Sequence, residues 1–597
     1  RVDGSLPGVP EEREPYRRTV VYTAPTIPFE FRLGSFRLTK GREFCTFDDD
    51  GLLLDIKFPG ADAKKDDGSY NTVFGPSASH NGFIYGNCNS VVLSGLKNRL
   101  LGCRPGGNAA EERYRANLRE FVSRKRDLID YMRSKFELHF ESYTNVFEEC
   151  EEHHDDKHAK RDLRISAREE LLETGIYSQR VWGNRAHRPY CTAKHKKNEI
   201  AKRVPEGATP KPSRVIVDVS TISSLQGFRI TQLHKEAFDK EILERHGGHI
   251  EFCKSPRPDR LIRIFTWLRE PPGAFYWVLF SDDSCYAMRM PDGTVRRWNV
   301  DIKGCDRSHA DGVETPAGYQ PGVFDVLIDT TPEHAREDMR AVVDQGLLPL
   351  RVYSLTDRKH KVEFTPVSRV LYSGMTITTV INNCASTLIA ESCFESGAST
   401  EAEIKAAAER AGYLVSVEDA SCFSQVQFLK HSPVFDVDGK IRAVLNIGVL
   451  LRASGVSKGD LPGRGDLRLR AQAFQGALLQ GMYPRMHTPM IDNMKGACLP
   501  PTAAATAAVQ KMLEHKTAHE DADEHYTIDT HQLLKRYRLT PLQEHTLTDV
   551  FGKMTYGQHL CDSAVDAVLN LDYGLRCQPL VGAHTRLPDY TFSPSLS

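Results

Sequence analysis

Residues 274–309 read AFYWVLF-SDD-SCYAMRM-PDG-TVRRWNVDIKGCDRSH. The stretch predicts three short strands joined by two tight turns. An apolar run, Ala274 to Phe280, leads into Ser281, Asp282 and Asp283. A returning run, Ser284 to Met290, then meets Pro291-Asp292-Gly293, a strong turn signal. The third run, Thr294 to Ile302, carries Asp301, and Asp306 follows it. In a split βαβ fold such strands lie antiparallel side by side, so the Asp282–Asp283 turn faces the end of the third strand near Asp301. Carboxylates packed that closely repel one another unless a divalent cation lies among them. The chemical reading is a two-metal site held by Asp282, Asp283 and Asp301, of the kind that drives phosphoryl transfer. An ordinary surface meander with an acidic turn accounts for the same letters.

The next informative segment is Ser373-Gly374-Met375-Thr376-Ile377-Thr378-Thr379-Val380-Ile381-Asn382. Its pattern, S-G-x-x-x-T-x-x-x-N, predicts a loop at Ser373 and Gly374 opening a helix, with Thr378 and Asn382 one turn apart on a single face. It begins 72 residues after Asp301. With these residues the chain resembles the palm of viral RNA-dependent RNA polymerases. The resemblance implies that Asp301 and Asp306 form motif A, D-x-x-x-x-D. It makes the Ser-Gly helix motif B and the Ser281-Asp282-Asp283 hairpin motif C, usually Gly-Asp-Asp. Most members run A, B, C. Here the hairpin precedes motif A, and the stretch after Asn382, NCASTLIAESCFESGAS, contains no Asp. The C–A–B order resembles the permuted polymerases of permutotetraviruses and birnaviruses. A rival reading keeps the usual order and takes Val417-Glu418-Asp419 as a degenerate motif C, which leaves Asp282 and Asp283 unexplained.

Residues 194–216 carry seven Lys or Arg against two acids, although the whole chain has net charge −1. Charge is therefore segregated, as a basic nucleic-acid channel requires. This stretch resembles motif F through Lys197, Glu199, Lys211, Arg214 and Ile216. The resemblance implies a finger hairpin over an incoming triphosphate, with Arg214 as a planar phosphate binder. A solvated basic loop is the bland alternative. Glu401 to Ala411 predicts a helix closed by Gly412, followed by a strand from Tyr413 to Val417, resembling motif D. Phe428-Leu429-Lys430-His431 resembles motif E. No Lys sits in the strand after Gly412, which leaves Lys405 and Lys430 as the candidates for a motif D general acid.

The fold class expected is α+β: a right-hand polymerase of fingers, palm and thumb, with a ferredoxin-like palm sheet of permuted connectivity. Residues 1–108 read as an N-terminal extension, 109–273 as fingers and 274–435 as palm, with a fingers insertion near 310–370; 436–597 read as thumb and C-terminal tail. A long helix is predicted from Asn108 to about Phe140, burying Leu118, Phe121, Val122, Ile129, Met132 and Phe136. The 14 cysteines lack CxxC pairs, which favours reduced thiols in a cytosolic compartment. No apolar run is long enough to span a bilayer and no signal peptide is visible; Arg1 reads as a processed or trimmed start. Cys150, His153, His154 and His158 read as a solvated charged face ahead of a zinc site, Asp48-Asp49-Asp50-Gly51 as a turn, and Phe74 to Gly82 as a candidate template-guiding motif G.

The resemblance implies RNA-directed RNA synthesis in which Asp282, Asp283 and Asp301 hold Mg²⁺, or Mn²⁺ in its place. Asp306, Ser373, Gly374, Thr378 and Asn382 would read the ribose, and Lys197, Lys211 and Arg214 the phosphates. A carboxylate and an amide hydrogen-bond a 2′-OH that deoxynucleotides lack, which favours ribonucleotides. The partners implied are an RNA template, a primer or protein primer, ribonucleoside triphosphates and other viral proteins. The place implied is the host cytoplasm and the virion interior. The competing class is a non-catalytic viral RNA-binding protein on a palm-like scaffold.

Overall fold

The computed structural model describes residues 32–144 and 190–574 apart from short internal stretches, the longest being 64–70, 200–211 and 514–523. The central element is a five-stranded sheet. Its strands, in chain order, are β1 (Ile250–Phe252), β2 (Phe275–Phe280), β3 (Asp283–Arg289), β4 (Val295–Ile302) and β5 (Val415–Asp419). In space they run β5-β4-β3-β2-β1. The middle three form the expected meander: Phe280 pairs with Asp283 across the first turn and Arg289 with Val295 across the second. Gly293 sits in the second turn at φ +83°, a conformation that costs glycine nothing. β5 lies antiparallel to β4, and β1 adds to β2 in parallel. Without β1, the four strands keep the order and alternating directions of a ferredoxin-like sheet, while the chain visits them in a different sequence. Because β3 and β4 are neighbours, a tight turn suffices to join them.

Period-two patterning sorts the sheet's side chains into two cores. Phe275, Trp277 and Leu279 of β2 join Tyr286, Trp298, Val300 and Ile302 on one face. Tyr276, Val278, Cys285 and Ala287 line the other, against Leu261, Ile264, Phe265 and Leu268. Those last four belong to helix α2 (Pro258–Arg269), which follows α1 (Thr221–Arg245) in the chain and starts with proline, where the missing N–H costs no helical bond. Helix α3 (Thr378–Ser396) is buried without a break from Val380 to Cys393, as a helix covered on every side must be. Helix α4 (Glu401–Arg410) is capped by the Thr400 side chain, and Gly412 follows at φ +89°, as the sequence predicts.

A six-stranded sheet flanks this unit. It joins the basic hairpin, 191–195 with 215–218, to strands 350–353, 361–366, 36–40 and 32–33. The helix Asn108–His139 buries Phe121, Ile129, Met132 and Phe136, four of the residues expected there. Residues 434–569 build a third core from helices that include Leu467–Met482, the Ala-rich Ala503–Leu513 and Ser563–Tyr573. Asp48 to Gly51, residues 148–158 and most of Phe74 to Gly82 lie outside the described residues. Among the described residues no helix is long and apolar enough to cross a membrane.

Asp572 ties this last core to Lys430. Its buried carboxylate accepts from Arg536 Nε at 3.1 Å, Tyr537 Oη at 2.8 Å and the Gly448 N–H at 2.9 Å, while its carbonyl accepts from Lys430 Nζ at 2.6 Å. Arg536 is itself buried, so removing the carboxylate strands a charge away from water. Asp572→Ala is expected to cost about 3–5 kcal/mol. Chemical denaturation of the variant measures this, and a loss below about 1 kcal/mol would show that the hub is a solvated pair.

Candidate functional site

The pairing of β3 with β4 places Asp283 directly opposite Asp301. Residues opposed in this way point to the same face, with Cβ atoms roughly 5 Å apart. Asp282 precedes Asp283 in the turn, and its carbonyl accepts from the Ile302 N–H at 3.3 Å. Burial pushes Asp283 up to about 6, helped by repulsion from Asp282 and Glu418 and opposed by the Leu429 N–H, which donates to its Oδ2 at 3.2 Å. Asp301 keeps an exposed side chain, yet the protein crowded around it pushes it up to about 7 by desolvation first, then by Asp282, Asp283 and Glu418. Asp282, exposed as well, is raised by the same desolvation, with the charge of Arg214 acting against the rise. The three carboxylates predicted from the sequence therefore share one end of the sheet. Val417-Glu418-Asp419 lies on edge strand β5 alongside β4 and forms no hairpin, so the rival motif C lacks its turn.

Helix α3 fixes the acidic turn. Ser281 sits at φ +58°, where a side chain costs roughly 1–2 kcal/mol. Three bonds from the helix hold it there. The Ser281 N–H donates to Asn383 Oδ1 at 2.8 Å, Asn382 Nδ2 donates to Ser281 Oγ at 2.9 Å, and Ser386 Oγ donates to the Ser281 carbonyl at 2.6 Å. Sequence reasoning missed Asn383 and Ser386. The available signal was their polarity in a helix long and apolar enough on its other faces to be buried, because buried polar groups must find partners.

Asn382 also reaches Asp306. Its Nδ2 donates to Asp306 Oδ1 at 3.2 Å, and the Ser373 hydroxyl bonds the same carboxylate. Asp306 lies on the short helical turn Cys305–Ser308, entered through Gly304 at φ +56°. The Ser373 carbonyl accepts from the Val217 N–H at 2.8 Å, which seats the Ser-Gly loop on the basic hairpin. Gly374 is at φ +120°, and a Cβ there would stand 2.3 Å from the Val217 carbonyl oxygen. Thr378 departs from expectation. Its hydroxyl donates to the carbonyls of Met375 at 2.8 Å and Tyr372 at 3.3 Å, serving the start of α3.

On the basic hairpin, Arg214 is half-exposed and ion-paired through Nε to Glu199, whose other oxygen accepts the Arg214 N–H at 2.8 Å. Lys197 and Lys211 lie outside the described residues. Lys405 pairs with Glu401 on α4. Lys430 sits in the two-residue turn Leu429–Lys430, both at positive φ, with its charge felt by Asp283 and Asp301.

Among the described residues no group of three or more His, Cys, Asp or Glu side chains is placed to hold a metal ion by itself. An open set of carboxylates is what Mg²⁺ uses when ligand phosphates and water complete its shell. The donors at Asp282, Asp283 and Asp301 are all hard oxygens, and their mutual repulsion is the kind a divalent cation relieves. The residues present fit such an ion.

No protein-family model matches the chain, and no curated protein matches it. Solved structures do. The birnavirus VP1-VP3 complex aligns at 10% identity and TM-score 0.34 over 60% of this chain and 50% of that one. VP1 from Infectious Pancreatic Necrosis Virus aligns at 10% identity and TM-score 0.35, over 66% and 55%. The latter is an RNA polymerase. The chain thus spans about half the length of these proteins, and likeness of this degree transfers no activity.

Two predictions follow from the geometry. Gly374→Ala forces a Cβ against the Val217 carbonyl at positive φ, and is expected to cost about 1–3 kcal/mol, read as a lowered denaturation midpoint; an unchanged midpoint would show that the loop has another conformation. The second concerns pH. A carboxyl whose pKa is raised by folding adds stability below its ordinary range, and that contribution disappears as pH rises through the raised value. In metal-free protein, Asp283→Asn with Asp301→Asn should therefore match the parent near pH 4 and exceed it in thermal stability above pH 7. A constant difference across that range would contradict the crowding.

Proposed function

We propose that this chain is an RNA-directed RNA polymerase acting by two-metal nucleotidyl transfer. The observation that carries the reading is the opposition of Asp283 and Asp301, with Asp282 in the turn and the Asp306–Asn382–Ser373 cluster joined to that turn through Ser281. Mg²⁺, or Mn²⁺ in its place, held at Asp282, Asp283 and Asp301 would supply Lewis-acid stabilisation of the attacking 3′-oxygen and the leaving pyrophosphate. The protein's own residues position the rest. Arg214 lies close enough for its charge to act on Asp282, which suits it to a triphosphate beside the ion. Lys197 and Lys211 belong to the same basic segment and to the same role.

Asp306 faces the sugar in this reading. Its carboxylate accepts a hydrogen bond that only a 2′-OH offers, which selects ribonucleotides. Base choice falls to pairing with an RNA template, so the protein needs charge and shape without base contacts. The ligands are then ribonucleoside triphosphates, an RNA template, and a primer or protein primer. Other viral proteins as partners, and the host cytoplasm and virion as locations, belong to the same proposal.

The test is primer extension or de novo synthesis on an RNA template with Mg²⁺, supplying ribo- or deoxyribonucleotides. Asp282→Ala and Asp301→Ala are each expected to lower incorporation about a thousandfold, some 4 kcal/mol of transition-state stabilisation. Incorporation surviving in both variants rejects the site, and exclusive use of deoxynucleotides rejects the substrate class.

A further inference from the structure

We propose that His309 is a positioning residue for sugar selection, acting through Asn382 on Asp306; this rests on the polymerase reading above. His309 is buried, with its Nε2 2.8 Å from Asn382 Oδ1 and 3.4 Å from Cys305 Sγ, and its Nδ1 2.9 Å from the Tyr413 hydroxyl. Asn382 and Tyr413 are buried as well.

Donor and acceptor chemistry gives this chain one direction. An ionised Asp306 only accepts, so Asn382 must turn its nitrogen to it. The same nitrogen spends its other hydrogen on Ser281 Oγ. Asn382 Oδ1 therefore faces His309, whose Nε2 must carry the proton. Nδ1 is then the acceptor and takes the Tyr413 O–H. Each donor in the series Tyr413, His309, Asn382 fixes the next.

The consequence concerns which group meets the ribose. Both N–H bonds of Asn382 are committed, so the amide, with the Ser373 hydroxyl, orients the Asp306 carboxylate, which in this reading turns its remaining lone pairs to the sugar. Without His309 the amide oxygen loses its buried donor, and only the two bonds of the amide nitrogen hold the orientation. An amide turned over sets oxygen against carboxylate and gives up its bond to Asp306 together with one of the three bonds that hold the Ser281 turn. The relay also ties sugar selection to the α4–β5 unit, because Tyr413 directly follows Gly412 at the end of α4.

Single-nucleotide incorporation by the full chain, with matched ribo- and deoxyribonucleoside triphosphates, measures the effect. His309→Phe keeps a ring and removes its bonds to Asn382 and Tyr413. It is expected to lower the ratio of ribo to deoxyribo kcat/KM at least about tenfold, mainly through a higher ribonucleotide KM, while deoxyribonucleotide incorporation persists. His309→Gln, whose amide can donate to Asn382 Oδ1, should restore much of the ratio, and Tyr413→Phe should lower it by a smaller factor. An unchanged ratio in His309→Phe, or equal losses for both sugars, overturns the relay. If that variant does not fold, Tyr413→Phe carries the same test, and an unchanged ratio there overturns it. Parent protein that incorporates neither sugar sinks the polymerase reading itself, a different result from an active parent whose ratio ignores His309.

Discussion

Two carboxylates facing each other across adjacent strands set the terms for this molecule. Like charges at directly opposed positions weaken a strand pair, so the arrangement persists only because the rest of the sheet compensates. The compensation is visible on both faces of β2 and β3. Trp277, Tyr286 and Trp298 stack on one side, and Tyr276, Val278 and Ala287 pack on the other, all with almost no exposed surface. Three hydrogen bonds from α3 hold the turn at Ser281, so the repulsion cannot be relieved by opening the hairpin. The strain stays where a cation would remove it.

The same helix organises the neighbouring chemistry. Asn382 touches both the turn and Asp306, and Ser373 links Asp306 to the loop that rests on Val217. The carboxylates, the Asp306–Asn382–Ser373 cluster and the basic hairpin thus share one scaffold, and a shift in α3 moves them together. A buried polar group such as Asn382, with both N–H bonds committed, holds a geometry more firmly than apolar packing, because each missing partner leaves a desolvated donor or acceptor.

The place of the acidic hairpin ahead of β4 carries little structural penalty. A chain that runs hairpin, then β4, uses only antiparallel neighbours, and each link is a tight turn. Contacts between β2, β3 and β4 are local in sequence, so closing them costs little entropy. The helices α3 and α4 and strand β5 then complete the sheet from the opposite edge.

How much of this was legible beforehand follows from the range of the forces involved. The three strands, the Pro291-Asp292-Gly293 turn, the Thr400-capped α4 with Gly412 behind it, and the buried stripe on the helix from Asn108 are written in period and turn residues, which act over a few positions. The nearness of Asp283 and Asp301 was legible for the same reason, since a meander of short strands leaves few alternatives. The positive φ of Ser281, its bonds to Asn383 and Ser386, the relay from Tyr413 through His309, and the use of the Thr378 hydroxyl to support its own helix start were not. Most of those partners lie about a hundred residues apart. A sequence fixes local geometry through backbone sterics and periodicity, but which buried polar group satisfies which is decided only when packing removes water and every donor must find the acceptor that the fold has brought beside it.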